Sequence, residues 1–173
     1  MPQQHRPDAG PPGDPEATSA TRPSPQGPSL MARALRLLAQ REHARLELER
    51  KLQRHVQEGE DLGAVLDQLE AKGFIQPERV AQSVLYRRAP KLGSQRVLHE
   101  LRQKGLDETI IRDAAEELRA SEHQRAWAVW QRKFGQVAST PQERAKHMRF
   151  LASRGFAADV VSKVVRGIAP EET

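Results

Sequence analysis

The chain has 173 residues, 28 Lys and Arg against 23 Asp and Glu, six His and no cysteine, for a formal charge of +5. The lack of cysteine excludes a disulfide framework, a thiolate zinc site and a cysteine nucleophile. No run approaches the roughly 18 apolar residues of a membrane helix, and the first residues have neither the basic nor the apolar region of a signal peptide, so a cytoplasmic protein with no membrane partner is expected.

Residues 1–28 carry eight of the 12 prolines and almost no large apolar side chain. Such a stretch cannot bury enough surface to offset its ordering entropy, and a disordered Pro/Gly-rich tail is expected there. From residue 30 onward the apolar residues recur at spacings of three and four. The stripes are Leu35 and Leu38, Leu48 and Leu52, Leu62, Val65, Leu66 and Leu69, then Val80, Ala81, Val84 and Leu85. They continue with Val97, Leu98 and Leu101, with Ile110, Ile111, Ala114, Ala115 and Leu118, and with Ala126, Trp127, Trp130 and Phe134. Met148 and Leu151, then Val160, Val161, Val164, Val165 and Ile168, complete the series. Each predicts an amphipathic helix, and no alternating run long enough for a strand occurs. The fold class is all-α.

The breaks carry their own chemistry. Pro77, Pro90 with Gly93, and Asp107 open the helices that follow them. Thr140-Pro141-Gln142-Glu143 has the pattern of a capping box with proline at the first helical position. Gly73, Gly105 and Gly155 each close a helix and are each followed by an apolar residue, Phe74, Leu106 and Phe156.

Internal repetition organises these helices. A shift of 49 residues carries Leu48 to Val97, Leu52 to Leu101, Leu62 to Ile111, Val65 to Ala114, Leu66 to Ala115 and Leu69 to Leu118. A further shift of 50 carries Leu101 to Leu151, and Ile111, Ala114, Ala115 and Leu118 to Val161, Val164, Val165 and Ile168. Three-helix units over residues 30–75, 76–120 and 121–169 are predicted. A unit of this size buries its own stripe poorly, so the units would stack as tandem repeats into an elongated, curved helical array.

Charge is segregated along the array: residues 76–106 sum to +5, residues 107–122 to −4 and residues 123–154 to +6. Helix faces point to a basic strip formed by Arg87, Arg88, Arg96, Arg102, Lys104, Arg144, Lys146 and Arg149, suited to phosphates or to an acidic protein groove. The acidic helix over 107–122 is read as a solvated face. Tyr86, beside Arg87 and Arg88, is the aromatic candidate for a contact surface, whereas Trp127, Trp130 and Phe134 are expected in the core.

Catalytic signatures are missing. The sequence has no Gly-rich phosphate loop, no His-Glu-x-x-His and no Gly-x-Ser-x-Gly. His43, His55, His99, His123 and His147 are scattered, none with a second His at ligand spacing, so neither a metal nor a cofactor is expected.

These residues together resemble the bacterial RecX family of regulatory proteins, modulators of the RecA recombinase. The resemblance covers residues 30–169. It rests on Leu38-Ala-Gln-Arg41-Glu42-His43-Ala-Arg45 leading into Glu49-Arg-Lys-Leu52, and on Gly73-Phe74 running into Arg79-Val-Ala81. It rests further on Arg88, on Gly93-Ser-Gln-Arg96-Val-Leu98-His-Glu100-Leu101-Arg-Gln-Lys104-Gly105, and on Phe150-Leu151-Ala-Ser-Arg154-Gly155-Phe156 before Val160 and Val161. The resemblance implies tandem three-helix repeats without enzymatic activity. It implies binding to RecA in the helical groove of the RecA–single-stranded DNA filament, with inhibition of strand exchange, ATP hydrolysis and co-protease activity. The basic strip would then contact RecA, with weak direct contact to DNA phosphates, and a monomer is expected. Two departures stand out: His55-Val56 replaces the glycine that usually ends the second helix of the first unit, and Gln76-Pro77-Glu78 replaces an aspartate after Gly-Phe. The charge pattern alone leaves open a basic helical DNA-binding protein acting independently of RecA.

Overall fold

The structure is a computed structural model that describes residues 27–171. The expectation for the tail therefore lies, from residue 1 to 26, outside the described residues. The helices are α1 (Leu30–Gln40), α2 (Arg45–Leu52), α3 (Leu62–Ala71), α4 (Pro77–Arg88), α5 (Ser94–Gln103), α6 (Glu108–Lys133), α7 (Pro141–Ser153) and α8 (Ala158–Val165). Among the described residues there is no strand. The chain is an all-α tandem array, as its periodicity predicted.

Local chemistry sets the helix ends. The Ser29 hydroxyl accepts from the Ala32 amide at 3.2 Å and the Asp61 carboxylate from the Ala64 amide at 3.1 Å, each satisfying a first-turn donor. Thr140 and Glu143 form the expected capping box: the Thr140 hydroxyl accepts from the Glu143 amide, and the Glu143 carboxylate accepts from the Thr140 amide. Just beyond α5 and α7 stand Gly105 and Gly155, with φ of 74° and 83°, where a side chain would be strained. The residue after each glycine donates back to the last turn, Leu106 to Leu101 at 3.3 Å and Phe156 to Leu151 at 3.4 Å. Helix α2 ends without a glycine. A 3-10 turn over Gln53–His55 tightens its last turn instead, and Val56 leaves in extended conformation.

Three cores follow one another along the chain. The first gathers Leu30, Ala34, Leu48, Leu52, Leu62, Leu66, Leu69 and Ile75 from α1 to α3. The second is built on Val80, Val84, Leu85, Val97, Leu101, Ile111, Ala114 and Leu118, and also takes in Ala44 from the start of α2. The third holds Ala126, Trp130, Leu151, Phe156, Val161, Val164 and Val165. Extensive helix packing runs only within α1–α3, within α4–α6 and within α6–α8. This succession, together with α6, which at 26 residues spans about 39 Å, makes the body elongated.

Helix α6 is shared between the second and third units. Residues 120 and 121, placed at a unit boundary, lie inside one continuous helix. No glycine or proline stands between residues 106 and 134, so nothing terminates the backbone ladder there. One helix therefore supplies Ile111 to Leu118 to the second core and Ala126 to Trp130 to the third.

Other expectations are corrected at single positions. Met148, which the spacing predicts on the buried stripe of α7, is 43 % exposed, and His147 is buried in its stead. The reason is a partner: the indole Nε1 of Trp130 donates to His147 Nδ1 at 3.2 Å, and Phe134 stacks on the imidazole at 3.7 Å. Leu35 on α1 and Ile168 beyond the end of α8, both expected on stripes, are exposed, and Phe74 is exposed while Ile75 is buried beside it. Trp127 is half-buried and packs 5.0 Å from Trp130.

Glu122 is the largest correction to the acidic helix. It is 6 % exposed, not solvated, and one carboxylate oxygen accepts from the Ser94 amide at 3.0 Å and the Ala157 amide at 3.3 Å. From the middle of α6 it thus serves the N-terminal ends of both α5 and α8. One turn away, the Arg125 guanidinium donates to the carbonyls of Ala89, Leu92 and Leu118 and to the hydroxyls of Ser94 and Ser121. Burial lowers the Arg125 pKa, a tendency that neighbouring Glu122 opposes.

Candidate basic interface

The cations singled out in the sequence sit on three helices. Arg87 and Arg88 end α4, Arg96 and Arg102 lie on α5, Lys104 follows α5, and Arg144, Lys146 and Arg149 lie on α7. All but Lys104 are exposed. Arg87, Arg96, Arg144, Lys146 and Arg149 form no ion pair among the described residues. Arg88 reaches Glu100 at 3.0 Å, and Arg102 stands 3.8 Å from Glu108. Surface pairs of this kind are weak, so both arginines remain available to a stronger anion.

Lys104 behaves differently. Its side chain is 15 % exposed and its ammonium lies 3.0 Å from the Glu47 carboxylate, across the joint between α2 and α5. Glu47 also receives Arg41 and Lys51. Burial alone would raise the Glu47 pKa, but hydrogen bonds from Arg41 and Lys104, backed by their charges, bring it down to about 2. Lys104 is therefore a structural cation of the first joint, not a free member of a strip. It stands beyond the opposite end of α5 from Arg96, which packs against Gly155 just after α7.

The two joints share one geometry. At the first, a Cβ on Gly105 would stand 2.9 Å from Leu46; at the second, one on Gly155 would stand 2.7 Å from Arg96. In each case the close of a helix in one unit abuts the start of the second helix in the unit before it. The second joint adds backbone bonds: Gly93 donates to the Arg154 carbonyl at 2.9 Å and Gln95 to the Gly155 carbonyl at 3.1 Å. The first relies on ion pairs, Lys104 with Glu47 and Arg79 with Glu42.

A second group of cations gathers in a way that the helical periodicity does not reveal. Lys91, Arg132, Lys133 and Arg154 converge, with Val129 and Phe150, on a recess of about 360 Å³ beside the second joint. They come from the α4–α5 connection, the end of α6 and the end of α7. Their charges were visible in the sequence, but on helices too far apart for any periodicity to pair them. Arg132 also borders a wider groove of about 510 Å³ between α4 and α6, where Tyr86 and Pro90 stand. Tyr86 is 86 % exposed, as a contact residue would be.

The histidines are structural where buried. His43 Nδ1–H donates to the Arg41 carbonyl at 2.9 Å, and its Nε2 accepts from Lys51 at 3.0 Å. Burial lowers the pKa of both His43 and His147, which keeps them neutral. Among the described residues no three His, Asp or Glu side chains converge as a metal ion would require. No helix among them is long and apolar enough to cross a membrane.

An array of three-helix units with exposed cations and buried polar joints defines an all-α helical-repeat protein. Comparison with known proteins narrows that class. Residues 121–165 match the family model described as "RecX, third three-helix domain", and residues 78–114 the one described as "RecX, second three-helix domain". Regulatory protein RecX of Leptothrix cholodnii is 46 % identical over 138 residues, covering 80 % of this chain and 88 % of the relative. Its counterpart in Ralstonia nicotianae is 42 % identical, covering 80 % and 87 %. The crystal structure of RecX from Lactobacillus salivarius superposes with a TM-score of 0.63 at 18 % identity, over 80 % of this chain and 94 % of that one, which shows the same fold. The chain belongs to the RecX family of regulatory proteins.

Proposed function

We propose that this protein is a non-enzymatic regulator that binds RecA and lies in the groove of the RecA–single-stranded DNA filament. There it inhibits recombinase, ATPase and co-protease activities. The observation that carries this reading is an elongated array whose exposed cations, Arg87, Arg96, Arg144, Lys146 and Arg149, pair with no acid among the described residues. Arg88 and Arg102 join them once their weak surface pairs yield. A rod of this kind, lying along a polymer with acidic protomers and phosphates, would hold neighbouring subunits in one relative state and exclude a second strand. Lys104 contributes by keeping the first two units in register, not by touching the partner.

Titration into RecA assembled on single-stranded DNA with ATP tests the proposal. ATP hydrolysis should fall at stoichiometric amounts in low salt, and the inhibition should weaken as salt rises. Unchanged hydrolysis, accompanied by tight sequence-independent binding to bare DNA, would instead support a DNA-binding protein acting independently of RecA.

A further inference from the structure

The recess beside the second joint lacks something its counterpart possesses. At the first joint, Lys104 and Arg79 meet the carboxylates of Glu47 and Glu42. The repeat shift of 50 carries Lys104 to Arg154, and the shift of 49 carries Glu47 to Arg96 and Glu42 to Lys91. Sliding one residue, as the contacts of Gly105 and Gly155 suggest, places Val97 at the position of Glu47. On either register both acids are gone, and the joint has kept its backbone geometry while changing its charge.

The consequence is visible at Arg154. Its Nε is buried and has no hydrogen-bond partner among the described residues, and its guanidinium lies 4.4 Å over the Phe150 ring. A buried donor without an acceptor is unfavourable, and Lys91, Arg132 and Lys133 around it add only further positive charge. The acid that the joint does own, Glu122, is held by the Ser94 and Ala157 amides.

We propose that this recess receives a carboxylate from an acidic segment of a partner protein, which occupies at the second joint the place that Glu47 fills at the first. The inference deepens the reading of a protein-binding regulator and rests on it. Val129 and Phe150 offer apolar walls to the methylenes of a glutamate while the four cations bind its head. A nucleic-acid strand fits less well. Arg154 already covers one face of Phe150, Phe134 meets that ring at 5.2 Å, and a single recess holds one anion rather than a run of phosphates.

The test uses the whole chain and, as probe, poly-L-glutamate of about 20 residues, a length chosen to present several carboxylates without bridging many molecules. Calorimetric titration in low salt should show binding that weakens about tenfold in the double variant Arg132→Gln/Lys133→Gln, a loss of about 1.4 kcal/mol shared between two exposed charged contacts. Both residues are exposed, so the variant should fold. The control Lys163→Gln/Arg166→Gln on and beyond α8 removes equal charge elsewhere and should leave affinity within about twofold. Equal weakening in both double variants would overturn the proposal, and so would a poly-glutamate affinity untouched by Arg132→Gln/Lys133→Gln. Loss of oligo-dT binding in that variant with poly-glutamate binding retained would overturn it in favour of a nucleic-acid site. RecA is absent from this assay, so its result and that of the hydrolysis titration stand or fall separately.

Discussion

The amide of Gly93 donates to the carbonyl of Arg154 at 2.9 Å, stitching the start of α5 to the end of α7. The approach is so close that a Cβ on Gly93 would stand 2.1 Å from the Phe156 nitrogen and 2.2 Å from the Gly155 carbonyl. The obstacles are backbone atoms, which cannot rotate aside. Gly93 has φ of −74°, so its requirement is one of space and not of conformation. Gly93→Ala should cost roughly 3 kcal/mol or more, measured by denaturant unfolding, because the joint must open to admit a methyl. A loss below about 0.5 kcal/mol would show that the units slide freely on one another.

Glu122 sets a second expectation. Its removal as Glu122→Ala leaves two helix-end amides without an acceptor and a buried void between α5, α6 and α8. The cost should be about 2–4 kcal/mol in chemical unfolding. Glu122→Gln keeps one carbonyl oxygen for the same amides and should cost less than half as much. Equal costs for the two would mean that charge, and not the acceptor, holds the junction.

Acid should destabilise the protein in two stages. His43 and His147 titrate below their ordinary value when folded, so the unfolded chain takes up protons first, and their contribution is lost as pH falls below 6.5. Glu47 has a folded pKa of about 2 against 4.5, so its contribution is present above 4.5 and disappears as pH falls toward 2. After allowance for solvent screening, the second stage is worth on the order of 1–2 kcal/mol. Melting temperatures recorded against pH should therefore decline below pH 6.5 and again below 4.5. Glu47→Gln should abolish the lower stage and leave the upper one.

Core and surface substitutions should separate cleanly. Leu101→Ala removes a side chain with no exposed surface from the second core and should cost about 2–5 kcal/mol through the cavity it leaves. Arg144→Glu with Arg149→Glu should change stability by no more than about 0.5 kcal/mol each. If the proposed function is right, that double variant should nonetheless inhibit RecA-dependent ATP hydrolysis much less than the unaltered protein.

Much of this architecture is local and hence legible from the chain alone. Amphipathic spacing, proline and threonine at helix starts and glycine at helix ends act within a turn or two, so the helices and their repetition followed directly. The fusion of the sixth helix across residue 120 was legible in the same terms, in the long stretch without glycine or proline, although the repeat arithmetic suggested a boundary there.

Which polar side chains meet depends on how one unit rotates against the next, and that rotation is set by side-chain packing between positions about fifty residues apart. The periodicity of α7 places Met148 as plausibly inward as His147; only Trp130 and Phe134, arriving from α6, decide for the histidine. The composition of residues 107–122 reads as a solvated acidic face until α5 and α8 bring two amide groups to Glu122. Likewise Lys104 and Arg154 are equivalent basic residues at helix ends in the sequence. Tertiary packing brings Glu47 to the first of them, whereas the second, where no acid stands at the equivalent position, faces an open, positively charged recess.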